Sequence, residues 1–217
     1  MMSNLVPANL SNLPSAPANA PLPEDVISTT AMLPYIQLLQ GQSALASNPD
    51  NDFKPGQFVL PKGGDDAVNL GPSFEAVALA YRYKAIDFSG DDPVIVYDPE
   101  SEEFKRIAEN AKVKKKDFNS GLELLLWLDG EKTFATLGCT NSTMAQFAVK
   151  DVIPRMRNPI TIKSKFIDPP KSKHSWYGAV GFDSQAEVVN LPEMNVITST
   201  VEKFLNPATE EEDEVPI

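Results

Sequence analysis

Apolar and polar residues alternate along several short stretches of the chain, which is the pattern expected of β-strands. The longest stretch covers residues 73–88, where the period is two rather than 3.6. One face of this predicted strand carries Val77, Leu79, Tyr81 and Tyr83, and the other carries Ala76, Ala78, Ala80, Arg82 and Lys84. Shorter apolar segments predict further strands at residues 57–60, 94–97 and 176–182, and residues 187–190 are expected to extend the same sheet.

A β-hairpin is predicted around Asp129-Gly130. Residues 122–128 and 133–137 are apolar and flank this dipeptide, which favours a tight turn because both positions tolerate positive φ. Residues 32–39 predict an extended or short helical segment on the outside of the core, because Pro34 argues against an unbroken helix.

The segment 160–167 predicts another strand, and its two faces differ in character. One face carries Ile160, Ile162, Ser164 and Phe166, and the other carries Thr161, Lys163, Lys165 and Ile167. The second face would therefore present two lysines side by side.

Three segments show the periodicity of helices. Asp98 followed by Pro99 predicts a helix start, and the cations at residues 112–116 suit its end. Residues 141–152 predict an amphipathic helix that Pro154 stops. Residues 193–205 predict a last helix, and its inward side chains would be Met194, Ile197, Val201 and Phe204 or Leu205.

Short strands in hairpin order, with helices between them, predict a mainly β fold with some helix. We expect an antiparallel OB-like barrel with a few peripheral helices; a plain α+β sandwich is the alternative. Residues 24–205 are predicted to form this single domain. A flexible arm rich in Pro, Ala and Asn is expected at residues 1–23, and a disordered acidic tail at residues 206–217.

Composition indicates a soluble protein of a reducing compartment. The chain has one cysteine, Cys139, so an intramolecular disulfide is excluded and a cytoplasmic location is expected. The first residues lack the basic and apolar regions of a signal peptide, and no apolar run of about 18 residues occurs, so neither a signal peptide nor an association with membranes is expected.

Charge is divided unequally along the chain. The net charge is −11, but the segment from Lys105 to Lys173 holds 14 Lys and Arg against 7 Asp and Glu, a balance of +7. The other residues hold 5 against 23, a balance of −18. A basic segment between acidic flanks is able to bind phosphates; the alternative is that its cations simply pair with acids of the fold.

Most residues needed for catalysis are missing from the sequence. The sole histidine, His174, and the sole cysteine, Cys139, provide too little for a metal cage or a Cys–His nucleophile. The glycines match no phosphate-binding motif, and the acidic pairs Asp65-Asp66 and Asp91-Asp92 lie in turns where a solvated loop is the ordinary interpretation. We therefore predict a protein that is not an enzyme and that uses neither cofactor nor metal.

Residues for binding a single nucleic-acid strand are better represented. Such binding requires cations along the phosphates and exposed aromatic rings on which bases stack. The candidate DNA-binding residues are Tyr81, Arg82, Tyr83, Lys84, Lys112, Lys114, Lys115, Lys116, Phe118, Arg155, Arg157, Lys163, Lys165, Phe166, Lys171, Lys173, Trp176 and Tyr177. For each aromatic residue the alternative is a place in the core, and for the lysines of residues 112–116 a solvated helix end.

The chain ends in Glu210, Glu211, Glu212, Asp213, Glu214, Val215, Pro216 and Ile217, an acidic run closed by apolar residues. This ending resembles the tails of bacterial and phage single-stranded DNA-binding proteins, and the order of arm, basic domain and tail resembles that of the phage proteins. The resemblance implies that the tail docks replication and recombination partners and competes with DNA for the basic groove. Ile217 stands where the bacterial pattern has an aromatic residue, which leaves the identity of the partner open.

These observations predict a single-stranded DNA-binding protein of replication, recombination or repair, acting in the cytoplasm, or in that of a host if a phage encodes it. The alternative is a non-catalytic phage structural or host-interaction protein whose tail solubilises it or mimics DNA. A metal-dependent nuclease using the acidic turns is the weakest of the three hypotheses. An oligomer is compatible with each of them.

Overall fold

The structure, a computed structural model, describes residues 33–47, 52–63, 66–114, 116–168, 175–185 and 189–207. The strands are β1 (Tyr35–Leu38), β2 (Phe58–Gly63), β3 (Asp66–Gly71), β4 (Ser73–Asp87), β5 (Val94–Val96), β6 (Phe118–Leu128), β7 (Thr133–Cys139), β8 (Pro159–Ile167) and β9 (Trp176–Asp183). The helices are α1 (Ala44–Ser47), α2 (Glu102–Val113), α3 (Ser142–Phe147) and α4 (Met194–Leu205). None of the described helices is long and apolar enough to cross a lipid bilayer. The predicted arm at residues 1–23 and most of the predicted tail lie outside the described residues.

The strands form one mixed sheet that curls into a half-barrel. Their order is β3-β2-β1-β7-β6-β4-β8-β9, and β5 pairs with β4. Every pair is antiparallel except β1 with β7, which run parallel with Tyr35 opposite Thr136. The mainly β class is confirmed, but the predicted purely antiparallel sheet is wrong. Alternation along a strand reveals its two faces and not the direction of its neighbours, so the sequence did not show this pairing.

Strand β1 lies inside the sheet, between β2 and β7, although its segment was predicted to lie outside the core. Ile36 and Leu39 are fully buried. Pro34 directly precedes the strand, and its carbonyl accepts a hydrogen bond from the Thr136 amide at 2.8 Å. A proline lacks only the donor, so at the start of a strand its carbonyl still joins the ladder.

A β-bulge in β4 changes which of its side chains face inward. The pairing of β4 with β6 shifts register between Ala78 and Ala80. Before the shift, even-numbered residues such as Phe74 lie in the main core, and after it the odd-numbered Tyr81 packs against the same core. The strict alternation predicted for residues 76–84 is therefore wrong, because one extra residue exchanges the two faces.

Helices cover the sheet where the hydrophobic pattern predicted them. Helix α4 lays Ile197, Val201 and Phe204 on one side of the sheet, as predicted, and they pack with Leu125 and Trp127 of β6. Helix α3 adds Met144 and Phe147 to the main core, then continues into a π-helical turn, Ala148–Val152, and a 3₁₀ turn, Ile153–Arg155.

Helix α2 begins later than predicted. Its N-cap is Ser101, whose hydroxyl accepts a hydrogen bond from the Phe104 amide at 3.2 Å. Asp98 instead accepts from the Glu100 amide at 2.9 Å, which makes a turn before the helix. Both residues are good caps, and the chain uses the one three residues before buried Phe104.

The predicted hairpin of β6 and β7 is confirmed, with Leu128 opposite Thr133. Its turn differs from the prediction, because the left-handed conformation falls on Lys132, with φ of 49°, rather than on Gly130. The predicted extension at residues 187–190 is not a strand at Val189 and Asn190, and residues 187 and 188 lie outside the described part.

Candidate nucleic-acid interface

One face of the β8–β9 hairpin displays two lysines between two aromatic side chains. Cross-strand neighbours share a face, and the register pairs Thr161 with Phe182, Lys163 with Val180, Lys165 with Gly178 and Ile167 with Trp176. Both lysines are exposed. Trp176 is 37% exposed and Phe182 is 50% exposed. We call Lys163, Lys165, Trp176 and Phe182 the hairpin face.

The charge of the hairpin face is not neutralised within the described part of the chain. Neither Lys163 nor Lys165 forms an ion pair with a described residue. One carboxylate shares the face: Glu75 of β4 lies opposite Thr161 and accepts a hydrogen bond from its hydroxyl at 2.6 Å. The lysines are thus available to an external anion, with an aromatic ring at either end on which a base could stack.

Strand β8, which carries the two lysines, is fixed by core packing and by pairing with both of its neighbours. Ile160 and Ile162 alternate with Thr161 and Lys163, and both isoleucines are fully buried in the main core. Pairing with β4 on one side and β9 on the other fixes the direction of the lysines. A binding face on paired strands loses little conformational entropy when it meets a ligand.

The other predicted aromatic residues of the hairpin lie on its opposite face. Phe166 is opposite Tyr177 in the register, and their ring centroids are 5.2 Å apart at 59°. The Tyr177 ring rests over Gly56, where an ideal Cβ would lie 2.5 Å from the tyrosine Cε1. Tyr177 therefore packs within the fold, while Phe166 is 55% exposed.

Arg82 and Lys84 lie in a largely buried ion cluster rather than on an open surface. Both cations bind Glu123: Arg82 Nη2 lies 2.6 Å from one carboxylate oxygen and Lys84 Nζ 2.5 Å from the other. The Arg82 guanidinium also sits over the Tyr97 ring at 3.7 Å and donates to the Phe204 carbonyl at 2.5 Å. Arg82 thus ties α4 to the sheet, and the contacts of both cations do not favour a role in binding phosphate.

The remaining predicted residues of β4 and β6 are aromatic, and they differ in exposure. Tyr81 is half-buried against the main core, and Phe118 is buried under α2 with Phe104. Tyr83 is exposed on one side and meets Phe104 edge-on, with ring centroids 6.3 Å apart. Of these three aromatic residues, only Tyr83 offers an accessible ring.

The lysines after α2 form a separate basic group. Lys112, Lys114 and Lys116 are exposed. Lys112 lies in the last turn of α2, and Lys114 and Lys116 follow the helix, where cations are favourable, so an ordinary role explains them.

Arg155 and Arg157 are both engaged within the fold. Arg155 Nε donates to Asp183 at 2.7 Å, and its Nη1 donates to the Asp151 carbonyl at 3.0 Å. Arg157 has a left-handed backbone, with φ of 67°, and its amide donates to the Ala78 carbonyl at the β4 bulge. Lys115, Lys171, Lys173 and the tail residues 210–217 lie outside the described residues, so their predicted roles stay predictions.

Phe182 is not among the predicted DNA-binding residues, although the sequence contains a signal for it. Trp176, Gly178, Val180 and Phe182 recur at every second position and therefore share a face. Applying the same alternation to β9 as to β8 would have paired the phenylalanine with the lysines.

In the described part of the chain, no group of three or more His, Cys, Asp or Glu residues could hold a metal ion. Cys139 is buried, and burial together with nearby Glu123 raises the pKa of its thiol, which makes it unreactive.

Comparison with known proteins places the chain in no family: no family model, curated protein or solved structure matches it.

Proposed function

We propose that this protein is a non-catalytic single-stranded DNA-binding protein that acts in replication, recombination or repair. The observation that carries the proposal is the hairpin face, on which two exposed lysines lie between two exposed aromatic rings and form no ion pair with any described residue. Non-specific binding of a single strand requires this combination, because cations follow the phosphates and a ring stacks on any base.

The geometry of the hairpin sets the direction in which a strand would run. Lys163 and Lys165 are two residues apart on β8, so their side chains project about 7 Å from each other along one line. Trp176 lies beside the end of that line near Ile167, and Phe182 beside the end near Thr161. A nucleic-acid strand following β8 would meet an aromatic ring, two cations and a second aromatic ring in turn.

Two finer features belong to the same proposal. The curled sheet would be an OB-type barrel modified by the parallel pair β1–β7. The acidic tail, residues 210–217, would dock partner proteins of DNA replication or recombination and occupy the basic surface when DNA is absent. Support for the tail's role is the division of charge, because its carboxylates and the basic segment belong to one molecule.

Binding of labelled oligothymidylate to the full chain, followed by fluorescence anisotropy, tests the proposal. We expect the single strand to bind more tightly than a duplex and the affinity to fall steeply with salt. The double variant Lys163→Gln/Lys165→Gln should bind at least tenfold more weakly, and its log–log salt slope should be smaller by about 1.4, since each phosphate contact contributes about 0.7.

The matched control is Lys105→Gln/Lys203→Gln, which removes the same charge from two exposed lysines on α2 and α4. It should leave affinity and salt slope nearly unchanged. If the full chain fails to bind single strands at low salt, the proposal is lost in favour of a structural or host-interaction protein. Equal losses in both double variants would show that only overall charge matters.

A further inference from the structure

Strand β5 is a short exposed edge of the sheet. Strand β4 pairs with β8 along its first half and with β5 along its second half. Within the described residues no strand pairs with the other edge of β5. A free edge presents backbone donors and acceptors that can pair with another extended segment.

The side chains around this edge are unusually apolar for a surface. Val94 and Ile95 of β5 are 49% and 46% exposed, and neighbouring Phe88, just after β4, is 44% exposed. We call these three residues the β5 patch. Of the three residues of β5, only Val96 packs against the hydrophobic cluster under α2.

Carboxylates stand on both sides of the β5 patch. Asp91 and Asp92 precede the strand, Asp98 and Glu100 follow it, and all four are exposed. None of them forms an ion pair with a described residue. The edge is therefore apolar at its centre and negatively charged at both ends.

This charge pattern decides which occupant suits the edge. Antiparallel pairing of two copies about Ile95 would place Asp92 of each opposite Asp98 of the other. Shifting the register by one residue would instead oppose Asp91 with Asp98 or with Glu100. Like charges directly opposite destabilise a pair of strands, so a second copy is disfavoured in each of these registers. Phosphates are repelled for the same reason, which separates this surface from the hairpin face.

We propose that the β5 edge docks an extended segment of a partner protein that is apolar over about three residues and flanked by Lys or Arg on both sides. The backbone of the segment would continue the sheet, and its apolar side chains would cover Val94 or Ile95. Its cations would meet Asp91 and Asp92 at one end and Asp98 and Glu100 at the other. The inference concerns another surface than the hairpin face and does not depend on the proposed DNA binding.

A blocked, fluorescein-labelled peptide, Lys-Lys-Val-Thr-Val-Lys-Lys, tests the docking by anisotropy with the full chain at low salt. It should bind at least about tenfold more tightly than Glu-Glu-Val-Thr-Val-Glu-Glu, since several ion pairs are exchanged for repulsions. The peptide Lys-Lys-Val-Pro-Val-Lys-Lys keeps the charge but lacks a backbone donor and should lose most of the binding.

Variants that change charges on the protein test the electrostatic part of the docking more directly. In Asp92→Lys/Glu100→Lys, the four side chains beside the β5 patch carry two negative and two positive charges, so the preference for the Lys-flanked peptide should be lost. Asp52→Lys/Glu109→Lys, with the same change at exposed positions elsewhere, should keep the original preference. Ile95→Thr should weaken binding of the Lys-flanked peptide about tenfold. Val196→Thr, at an exposed apolar residue outside β5, should leave that binding unchanged.

Three results would overturn the proposal. The Lys-flanked peptide could fail to bind the full chain; both charge variants could respond alike, which would indicate attraction by net charge alone; or sedimentation could show a dimer that Ile95→Thr dissociates, which would assign the edge to a second copy.

Discussion

The side-chain amide of Gln40 hydrogen-bonds both backbone groups of Tyr177, across 137 residues of sequence. Its Nε2 donates to the Tyr177 carbonyl at 3.0 Å, and its Oε1 accepts from the Tyr177 amide at 2.8 Å. Gln40 follows β1, whereas Tyr177 lies on β9 at the end of the sheet order. The Gln40 side chain thus bonds backbone groups of β9 as a neighbouring strand would. It links the segment after β1 to the hairpin that carries the hairpin face.

Replacing Gln40 by Glu should weaken this closure. A carboxylate still accepts from the Tyr177 amide but has no hydrogen to donate to its carbonyl, so we expect a loss of about 1–3 kcal/mol in the free energy of unfolding. Urea denaturation measures it. The same substitution at exposed Gln146 should change stability by no more than about 0.5 kcal/mol, and equal effects at the two sites would contradict the role of Gln40.

Gly56→Ala should also disturb the hairpin's support. Gly56 has φ of 85°, and the ring of Tyr177 occupies the place of a Cβ. Left-handed backbone and overpacking each cost about 1–3 kcal/mol, so we expect a loss of at least about 2 kcal/mol in stability. Gly130→Ala is the matched control, because nothing lies within 4 Å of its added Cβ. A neutral Gly56→Ala in thermal unfolding would show that Tyr177 repacks freely.

Glu123→Gln should be among the most destabilising single changes. The amide leaves two largely buried cations, Arg82 and Lys84, without their counter-charge, and breaking a buried pair in this way costs about 3–5 kcal/mol. Glu109→Gln, at an exposed position of α2, should cost almost nothing. Unfolding in urea compares the two, and similar midpoints would mean that water solvates the cluster.

The free energy of unfolding should fall at acidic pH because the Asp87 carboxyl becomes protonated. Hydrogen bonds from Ser89 and Arg106 lower the pKa of this carboxyl from 3.8 to about 2. The folded state therefore holds this proton less tightly than the unfolded state, so the stabilisation is complete above about pH 4 and is lost as the pH falls toward 2.

The urea midpoint of Asp87→Asn, compared with that of the natural chain across this range, checks the sign. The difference should be largest above about pH 4 and should shrink toward pH 2. Some acid sensitivity should persist in the variant, because the pKa values of Glu103 and Asp129 are also lowered, each with a cation bonded to its carboxyl. Asp52→Asn serves as control, and a difference that grows on acidification would contradict the account.

Local patterns predicted much of this fold. Alternation found β4 and β8, apolar segments found β6, β7 and β9, and helical spacing found the buried residues of α4, because each signal depends only on neighbours in sequence. The Asp-Gly dipeptide correctly marked a turn, although Lys132 rather than the glycine took the left-handed conformation.

What the sequence concealed depends on contacts between distant residues. The bulge at Ala78 follows from how β4 pairs with β6, and it moves Arg82 and Lys84 to the side where Glu123 and Phe204 meet them. Residues 81–84 and 163–166 both combine cations with aromatic residues, so they looked alike in sequence. In the structure, the cations of the first segment pair with Glu123, whereas Lys163 and Lys165 form no ion pair with a described residue.

Tryptophan emission during titration with oligothymidylate tests the central claim most directly. The two tryptophans differ in position: Trp176 is on the hairpin face, whereas Trp127 is buried and donates from Nε1 to the Asn190 carbonyl at 3.0 Å. We predict quenching on binding that Trp176→Phe abolishes, while Trp127→Phe retains it. Quenching that survives in Trp176→Phe, or binding without any quenching, would contradict the hairpin face as the site of contact.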